Sequence, residues 1–150
     1  MATHHPKPDS AKRALLKQLA KKRRPPRNKH HARGERVDGI WFPSQAEIVR
    51  YHELMLMVIS GKISKLKVHE RFPLFGQGGY LIGYYEADFT YTDFQKKRVV
   101  EDVKGQRLPL YIWKKKHFEA DYPWPITEIG VKHGRSFVIP PKPTRNRRIP

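Results

Sequence analysis

The chain has 150 residues, with 31 Lys and Arg against 14 Asp and Glu and a formal net charge of +17. That length suits one domain with its own hydrophobic core. The absence of cysteine excludes disulfides and thiolate metal sites. The sequence contains neither an apolar run of membrane-spanning length nor the apolar segment of a signal peptide. We therefore expect a soluble intracellular protein with no membrane partner.

The positive charge is concentrated at the two ends of the chain. Residues 1–36 carry +10 and residues 131–150 carry +6, whereas residues 37–130 carry +1. This distribution favours a polyanionic partner, because each phosphate that a cation neutralises releases counterions. A merely solvated run of charge is the alternative. We predict a basic N-terminal arm over 1–36, a folded domain over 37–131 and a basic, Pro-rich tail over 132–150.

The N-terminal arm contains one candidate helix. Ser10 is a suitable N-cap for residues 11–22, which place leucines and alanines among lysines, and Pro25 and Pro26 would end the helix. Such a basic amphipathic stretch is typical of a segment that lies on a nucleic-acid backbone, on a membrane surface or against the body of the protein. Its small apolar stripe favours nucleic acid or self-packing over membrane.

The body is expected to follow the order α-β-β-β-α-β. Residues 37–42 read as a short strand or turn around Asp38 and Gly39. Ser44 and Glu47 then have the spacing of a capping box, which predicts a helix to about Ser60. The remaining predicted elements are strands over 66–74, 80–91 and 97–104, a helix over 110–121, a strand over 126–131, and an extended or disordered segment over 134–150.

The most informative chemistry lies in the predicted strand over 97–104. Asp102 and Lys104 are two residues apart, so both project from one face of an otherwise apolar strand. A hairpin across residues 93–96 would bring Asp88 onto the neighbouring strand. Carboxylates on adjacent strands suit Mg²⁺ or Mn²⁺. Such an ion would activate a water and stabilise charge on a phosphate, and Lys104 would orient or deprotonate that water or offset the developing charge. For Asp88 alone, a solvent-facing residue is the simpler interpretation.

Glu47 and the histidines each allow two interpretations. Glu47 lies on one helical stripe with Tyr51 and Leu54, where a carboxylate is costly unless something satisfies it. It therefore serves either the cap at Ser44 or a functional site, or both. The eight histidines form no metal-ligand pattern in the sequence. We expect structural or surface roles for isolated ones such as His69.

Lysines on the second predicted helix form a candidate phosphate clamp, and a solvated helix face is the alternative. Together with the two basic ends, they give the nucleic-acid-binding residues that we predict: Lys21, Lys22, Arg23, Arg24, Arg27, Lys29, Arg33, Lys114, Lys115, Arg145, Arg147 and Arg148.

The order of these residues resembles the PD-(D/E)XK nuclease superfamily, which includes restriction endonucleases, phage endonuclease I and archaeal Holliday junction resolvases. The shared pattern is a Glu on a first helix, an Asp on a strand, Asp-x-Lys on the next strand and then a helix. The chain is similar still more closely to a small phage and prophage family of that superfamily, over about residues 28–130. The stretches that carry the resemblance are 28–32, 37–40, 44–47, 61–64, 71–74, 85–89 and 100–105.

The resemblance implies a role for each acid. Glu47 would help to bind the metal, Asp88 would be the central ligand, Asp102 the second ligand and Lys104 the catalytic lysine. Ala87 stands where the superfamily has its name-giving proline. Glu101 remains a second candidate for the ligand at 102, because a bulge would exchange the two.

The resemblance also implies a fold and an activity. The fold would be α/β, a restriction-endonuclease-like core with a mixed sheet flanked by helices. The activity would be that of a phage-encoded endodeoxyribonuclease dependent on Mg²⁺ (or Mn²⁺), which acts as a homodimer on branched or junction DNA in the bacterial cytoplasm. A non-catalytic nucleic-acid-binding protein, for packaging or associated with ribosomes, explains the basic ends equally well but does not explain the converging acids.

Overall fold

Among the described residues, two helices accompany a mixed five-stranded sheet, and a separate two-stranded sheet is also present. The structure is a computed structural model that describes residues 34–141; the predicted helix over 11–22 lies outside these residues. The elements are β1 (Glu35–Val37), β2 (Ile40–Phe42), α1 (Gln45–Ile59), β3 (Ser64–Phe75), β4 (Leu81–Thr92), β5 (Arg98–Val103), α2 (Pro109–Asp121), β6 (Ile126–Lys132) and β7 (Arg135–Val138).

The large sheet has the strand order β3-β4-β5-β6-β7. Its neighbouring strands are antiparallel except β5 and β6, which run parallel. A parallel pair needs a long crossover connection, and α2 supplies it. The sheet edge at β3 and the edge at β7 therefore lie on either side of a central β5, the strand that carries Asp102.

The predicted α/β class and the order α-β-β-β-α-β are confirmed. Two short elements extend that order. β1 and β2 pair as a hairpin whose turn, at Asp38 and Gly39, has φ of 51° and 79°. Within the segment that we expect to be extended or disordered from residue 134, residues 135–138 form β7 and pair with β6 after a turn at Gly134, a pairing that the sequence did not predict. The sheet thus reaches into the predicted tail, and β1 begins within the predicted arm.

Helix α1 begins as the sequence predicts. Ser44 is in an extended conformation, and its Oγ accepts a hydrogen bond from the Glu47 backbone N–H at 3.2 Å. This N-cap satisfies one of the donors that a helix start leaves unpaired. The helix ends where Gly61 takes a left-handed φ of 72°. Its buried side chains are Glu47, Tyr51 and Leu54 of the predicted stripe, together with Ile48.

The apolar core falls into two clusters. The cluster that includes residues of α1 contains Phe42, Ile48, Tyr51, Leu54, Ile63, Phe89, Tyr91, Val103 and Ile129. The cluster that includes Phe118 of α2 contains Phe72, Leu74, Tyr85, Ala87, Val100 and Ile126. Val100 and Val103 of β5 are an odd number of residues apart and so point to opposite faces of the sheet. The two clusters therefore lie on opposite faces.

Strand β4 changes the face that it buries at Asp88. Tyr85 and Ala87 pack in the α2 cluster, whereas Phe89 and Tyr91 pack in the α1 cluster, although all four have the same parity. Regular alternation would keep them on one face. The paired strand β3 is irregular at the same level, because His69 has a left-handed φ of 55°. This local irregularity is what turns Asp88 and His69 toward the N-terminus of α1.

No helix within residues 34–141 is long and apolar enough to cross a membrane.

Candidate metal centre

Three side chains from three elements meet where β4 changes face. Glu47 comes from the first turn of α1, His69 from β3 and Asp88 from β4. Each offers a ligand atom, and these atoms lie within 4.8 Å of one another. Opposite ligands around one ion with bonds of about 2.1 Å are about 4.2 Å apart. The spacing therefore suits a single small divalent cation, and carboxylate and imidazole are groups that bind such ions.

Glu47 is buried, and one of its oxygens has no hydrogen-bond partner among the described residues. Its Oε1 accepts a hydrogen bond from Ser44 Oγ at 2.8 Å, whereas its Oε2 is left without one. His69 Nε2 lies 3.7 Å from Oε2, beyond hydrogen-bond length. Burial raises the pKa of Glu47, against the effects of Ser44 and His69. Both interpretations of Glu47 are thus present together: one oxygen belongs to the cap and the other faces the cluster.

Asp88 is fixed by the backbone of the next strand. Its Oδ2 accepts a hydrogen bond from the Val103 N–H at 2.6 Å. Burial raises the pKa of Asp88 well above its ordinary value, and the nearby charges of Asp102 and Glu47 raise it further. Mutually repelling carboxylates of this kind are stabilised by a bound cation. The donor set and the unpaired Glu47 oxygen therefore fit the divalent metal that the sequence predicts.

His69 is the residue that the sequence interpretation missed. We expected an isolated histidine with a structural or surface role, but its imidazole lies beside Glu47 and Asp88. Its ring also packs against Phe42, with centroids 5.7 Å apart. A non-glycine residue with left-handed φ is uncommon, and such strain tends to occur at functional sites. A single sequence carries no signal for this conformation, because His69 stands in a run that otherwise alternates as a regular strand.

Asp102 and Lys104 project together, as predicted. Lys104 Nζ lies 2.5 Å from Asp102 Oδ2, and Tyr85 donates a hydrogen bond to Asp102 Oδ1 at 3.3 Å. The ammonium also lies over the Tyr111 ring, 4.1 Å from its centroid. Burial raises the pKa of Asp102, and Lys104 opposes that shift. Asp102 is not among the three clustered ligand groups, so its role as second metal ligand stays a prediction.

Glu101 points to the opposite face. Arg50 of α1 donates to both of its carboxylate oxygens, from Nε at 2.8 Å and from Nη2 at 2.6 Å. Tyr91 donates to Glu101 Oε1 at 2.6 Å. Arg50 continues the network to Glu53 and to Ser136 of β7. Glu101 is thus saturated by partners away from Lys104, whereas Asp102 shares its face with that lysine.

The lysines of α2 divide between two roles. Lys115 is held by carboxylates, at 3.1 Å from Glu128 Oε1 and 3.7 Å from Glu119 Oε1. Lys114 instead lines an open pocket of about 250 Å³ beside Lys104. Its other walls come from Tyr85, Glu86, Asp102, Leu108, Leu110 and Tyr111. Of the predicted phosphate clamp, Lys114 therefore lies near the site and Lys115 is engaged in ion pairs.

The other predicted nucleic-acid-binding residues lie outside the described part of the chain. They are Lys21, Lys22, Arg23, Arg24, Arg27, Lys29, Arg33, Arg145, Arg147 and Arg148.

Fold and site together define an α/β protein with a partly buried carboxylate–histidine cluster beside a lysine–aspartate pair. The chain belongs to the family described as "Protein of unknown function (DUF1064)", whose model matches residues 27–130. That match spans both helices and the strands from β1 to the greater part of β6. No curated protein and no solved structure matches the chain.

Proposed function

We propose that this protein is a metal-dependent DNA endonuclease that hydrolyses phosphodiester bonds. The observation that carries the proposal is the convergence of Glu47 and Asp88 on one cluster, with the Asp102–Lys104 pair on the neighbouring strand. These residues have the order and types of the PD-(D/E)XK pattern.

Glu47 and Asp88, with Asp102 as the predicted further ligand, would hold Mg²⁺ or Mn²⁺. When bound, such an ion supplies a more acidic water and neutralises charge on the phosphate. Lys104 is held by Asp102 at 2.5 Å, so its ammonium is positioned to orient the attacking water or to offset developing negative charge. The open pocket beside Lys104, with Lys114 on its wall, offers room for a DNA strand to approach the lysine.

The substrate that we propose is branched or junction DNA, by analogy with small phage resolvases. Symmetric cutting of two strands would call for a homodimer. The net charge of +17 supports a polyanionic substrate. Such an enzyme would be phage- or prophage-encoded and act in the cytoplasm of the bacterial host.

The alternative from another class is a non-catalytic nucleic-acid-binding protein that serves in packaging or with ribosomes. The basic ends favour it as much as they favour a nuclease. It leaves the buried, unpaired oxygen of Glu47 without a purpose. Burying an unsatisfied polar group costs free energy, so a protein that only binds DNA gains nothing from keeping it.

The test is a cleavage assay with a four-way junction, linear duplex and single-stranded DNA, each with Mg²⁺, with Mn²⁺ and with EDTA. We expect metal-dependent cleavage, strongest on the junction, and its loss in Asp88→Asn. Asp121→Asn is the matched control, because Asp121 is an exposed acid at the end of α2 and lies outside both the cluster and the pocket. A folded preparation that binds DNA but cuts none of the substrates with either metal would contradict the nuclease proposal and support the binding protein.

A further inference from the structure

We infer that the imidazole of His69 is a direct ligand of the metal and that the centre is therefore selective for Mn²⁺ over Mg²⁺. This inference rests on the proposed function, because it concerns the same metal centre. It deepens that proposal by naming the ion and a ligand that neither the sequence nor the family match assigns.

The first argument is position. His69 lies opposite Asp88 in the β3–β4 pairing, between the register partners Val68–Phe89 and Glu70–Ala87. The ligand atoms of His69, Asp88 and Glu47 fall within 4.8 Å of one another. The direction of the His69 side chain is set by its left-handed backbone conformation and not by the regular alternation of the strand.

The second argument is the unsatisfied oxygen. Glu47 Oε2 is buried without a hydrogen bond in the described part of the chain, and His69 Nε2 lies 3.7 Å from it. That distance is too long for a hydrogen bond, so His69 does not satisfy this oxygen directly. An ion between the two groups would satisfy both at once.

The third argument is strain. Left-handed φ is unfavourable for a residue with a Cβ, although histidine is among the residues that adopt it more often. Lys65 of the same strand also has a φ of 55°, but its side chain is exposed, whereas at His69 the conformation is kept for a half-buried ring. The ring is then supported by Phe42. Such support is typical of a ligand that must be held in one orientation.

The choice of ion follows from ligand chemistry. Mg²⁺ prefers oxygen ligands in near-ideal octahedral geometry and gives up water reluctantly. Imidazole nitrogen suits first-row transition ions, and Mn²⁺ also accepts carboxylates. Two carboxylates with one imidazole therefore favour Mn²⁺.

The experiment is Mn²⁺ binding to the full chain, followed by the loss of the free-ion EPR signal, with Mg²⁺ as competitor. We expect the protein to bind Mn²⁺ at least about tenfold more tightly than Mg²⁺. Displacing half of the bound Mn²⁺ should therefore take at least about ten times the Mg²⁺ concentration that equal affinities would require. His69→Asn should lower Mn²⁺ affinity at least about tenfold. It should also reduce the preference for Mn²⁺ over Mg²⁺, because asparagine offers an oxygen in place of the imidazole nitrogen. Asparagine is chosen because it tolerates left-handed φ. His133→Asn is the matched control, since His133 is an exposed histidine with a φ of 51°.

A second readout needs no variant. Spin-echo modulation of bound Mn²⁺ should contain the coupling of an imidazole ¹⁴N, and its absence would overturn the inference. Undiminished Mn²⁺ affinity in His69→Asn, or equal competition by Mg²⁺ in the parent protein, would overturn it as well. In those cases, loss of Mn²⁺ binding in Asp88→Asn would still support a metal centre that includes Asp88, without His69 as a ligand. If the parent protein bound no Mn²⁺, the inference would fail, and the cleavage assay with Mg²⁺ would still decide the proposed function.

Discussion

Arg50 and Glu101 form a bidentate ion pair across the interface of α1 and β5, with N–O distances of 2.8 and 2.6 Å. Glu101 is almost fully buried, and Arg50 is largely so. Because Arg50 also contacts Glu53 and Ser136, this pair joins α1 to both the central strand and the edge strand β7.

Removing Arg50 should be strongly destabilising. Arg50→Ala leaves a buried carboxylate uncompensated, which typically costs about 3–5 kcal/mol of unfolding free energy. Arg71→Ala is the control, because Arg71 and Glu86 form an exposed pair at 3.8 Å, for which a loss below about 1 kcal/mol is expected. Urea unfolding followed by circular dichroism measures both. Equal losses in the two variants would contradict a structural role for the Arg50–Glu101 pair.

Lys104 should affect the rate of DNA cleavage and Lys114 should affect DNA affinity. Lys104→Met is expected to lower the rate at saturating DNA at least about 100-fold, the lower end of what a positioned proton-transfer group contributes. Lys114→Met should raise KM with little change in kcat, because Lys114 lines the pocket without belonging to the Asp102–Lys104 pair. Steady-state kinetics on one cleaved substrate separates the two. A parental rate in Lys104→Met would remove this lysine from the proposed mechanism.

Glu70 should contribute stability that depends on pH. Burial opposes its ionisation, but hydrogen bonds from Thr90, Lys67 and Arg98 outweigh burial and lower the pKa of Glu70 to about 2. A lowered pKa stabilises the folded state above the ordinary value of 4.5 and loses that effect as pH falls through about 2. Glu70→Gln should cost on the order of 3 kcal/mol at pH 7 and little near pH 2. Denaturant unfolding at both pH values measures the loss of unfolding free energy in Glu70→Gln. An equal loss at pH 7 and near pH 2 would contradict this prediction.

Asp88 should have the opposite pH dependence in the metal-free protein. Its pKa is raised by burial and by its acidic neighbours, so the folded state holds a proton to higher pH than the unfolded state does. The Asp88 contribution to stability therefore falls as pH rises above the ordinary value of 3.8. Asp88→Asn should unfold less easily than the parent at pH 7 in EDTA, and the difference should shrink toward pH 3.8. Saturating Mn²⁺ should make the parent more stable than Asp88→Asn, because only the parent retains the full ligand set.

The charge of the N-terminal arm should appear in the salt dependence of DNA binding. Replacing the four basic residues at 21–24 with alanine should reduce the slope of log K against log salt by up to about 3.6, if each contacts a phosphate of duplex DNA. Replacing the same number of exposed lysines at 62, 65, 96 and 97 controls for net charge. Fluorescence anisotropy from about 50 to 200 mM salt covers the useful range. An unchanged slope would show that these residues do not contact DNA phosphates.

Local patterns in the sequence predicted the elements well. Ser44 and Glu47 mark the start of α1, and alternation marks β3, β4 and β5. β7 was missed because it is only four residues long and follows a turn, and its position depends on contacts with β6 and with Glu53 of α1. Four residues at a sheet edge do not give a recognisable period.

The site was predicted by residue type but not by geometry. Tyr85 and Tyr91 are an even number of residues apart, yet they donate hydrogen bonds to Asp102 and Glu101, which point to opposite faces of β5. Period-two alternation cannot anticipate that change of face, since it arises from pairing with β3. The choice between Asp102 and Glu101 as the candidate metal ligand depended on this change of face, and so did the position of His69.

The capping interaction of α1 has a consequence for the motions of the protein. Ser44 Oγ accepts from the Glu47 N–H and donates to the Glu47 carboxylate, so the first turn of α1 and one proposed ligand share the same pair of residues. Helix ends open more readily than helix centres. Fraying of this turn would therefore disassemble the cluster, and an ion bound there would suppress the fraying by mass action. Amide hydrogen exchange at the start of α1 becomes a reporter of occupancy at a centre that contains no amide ligand.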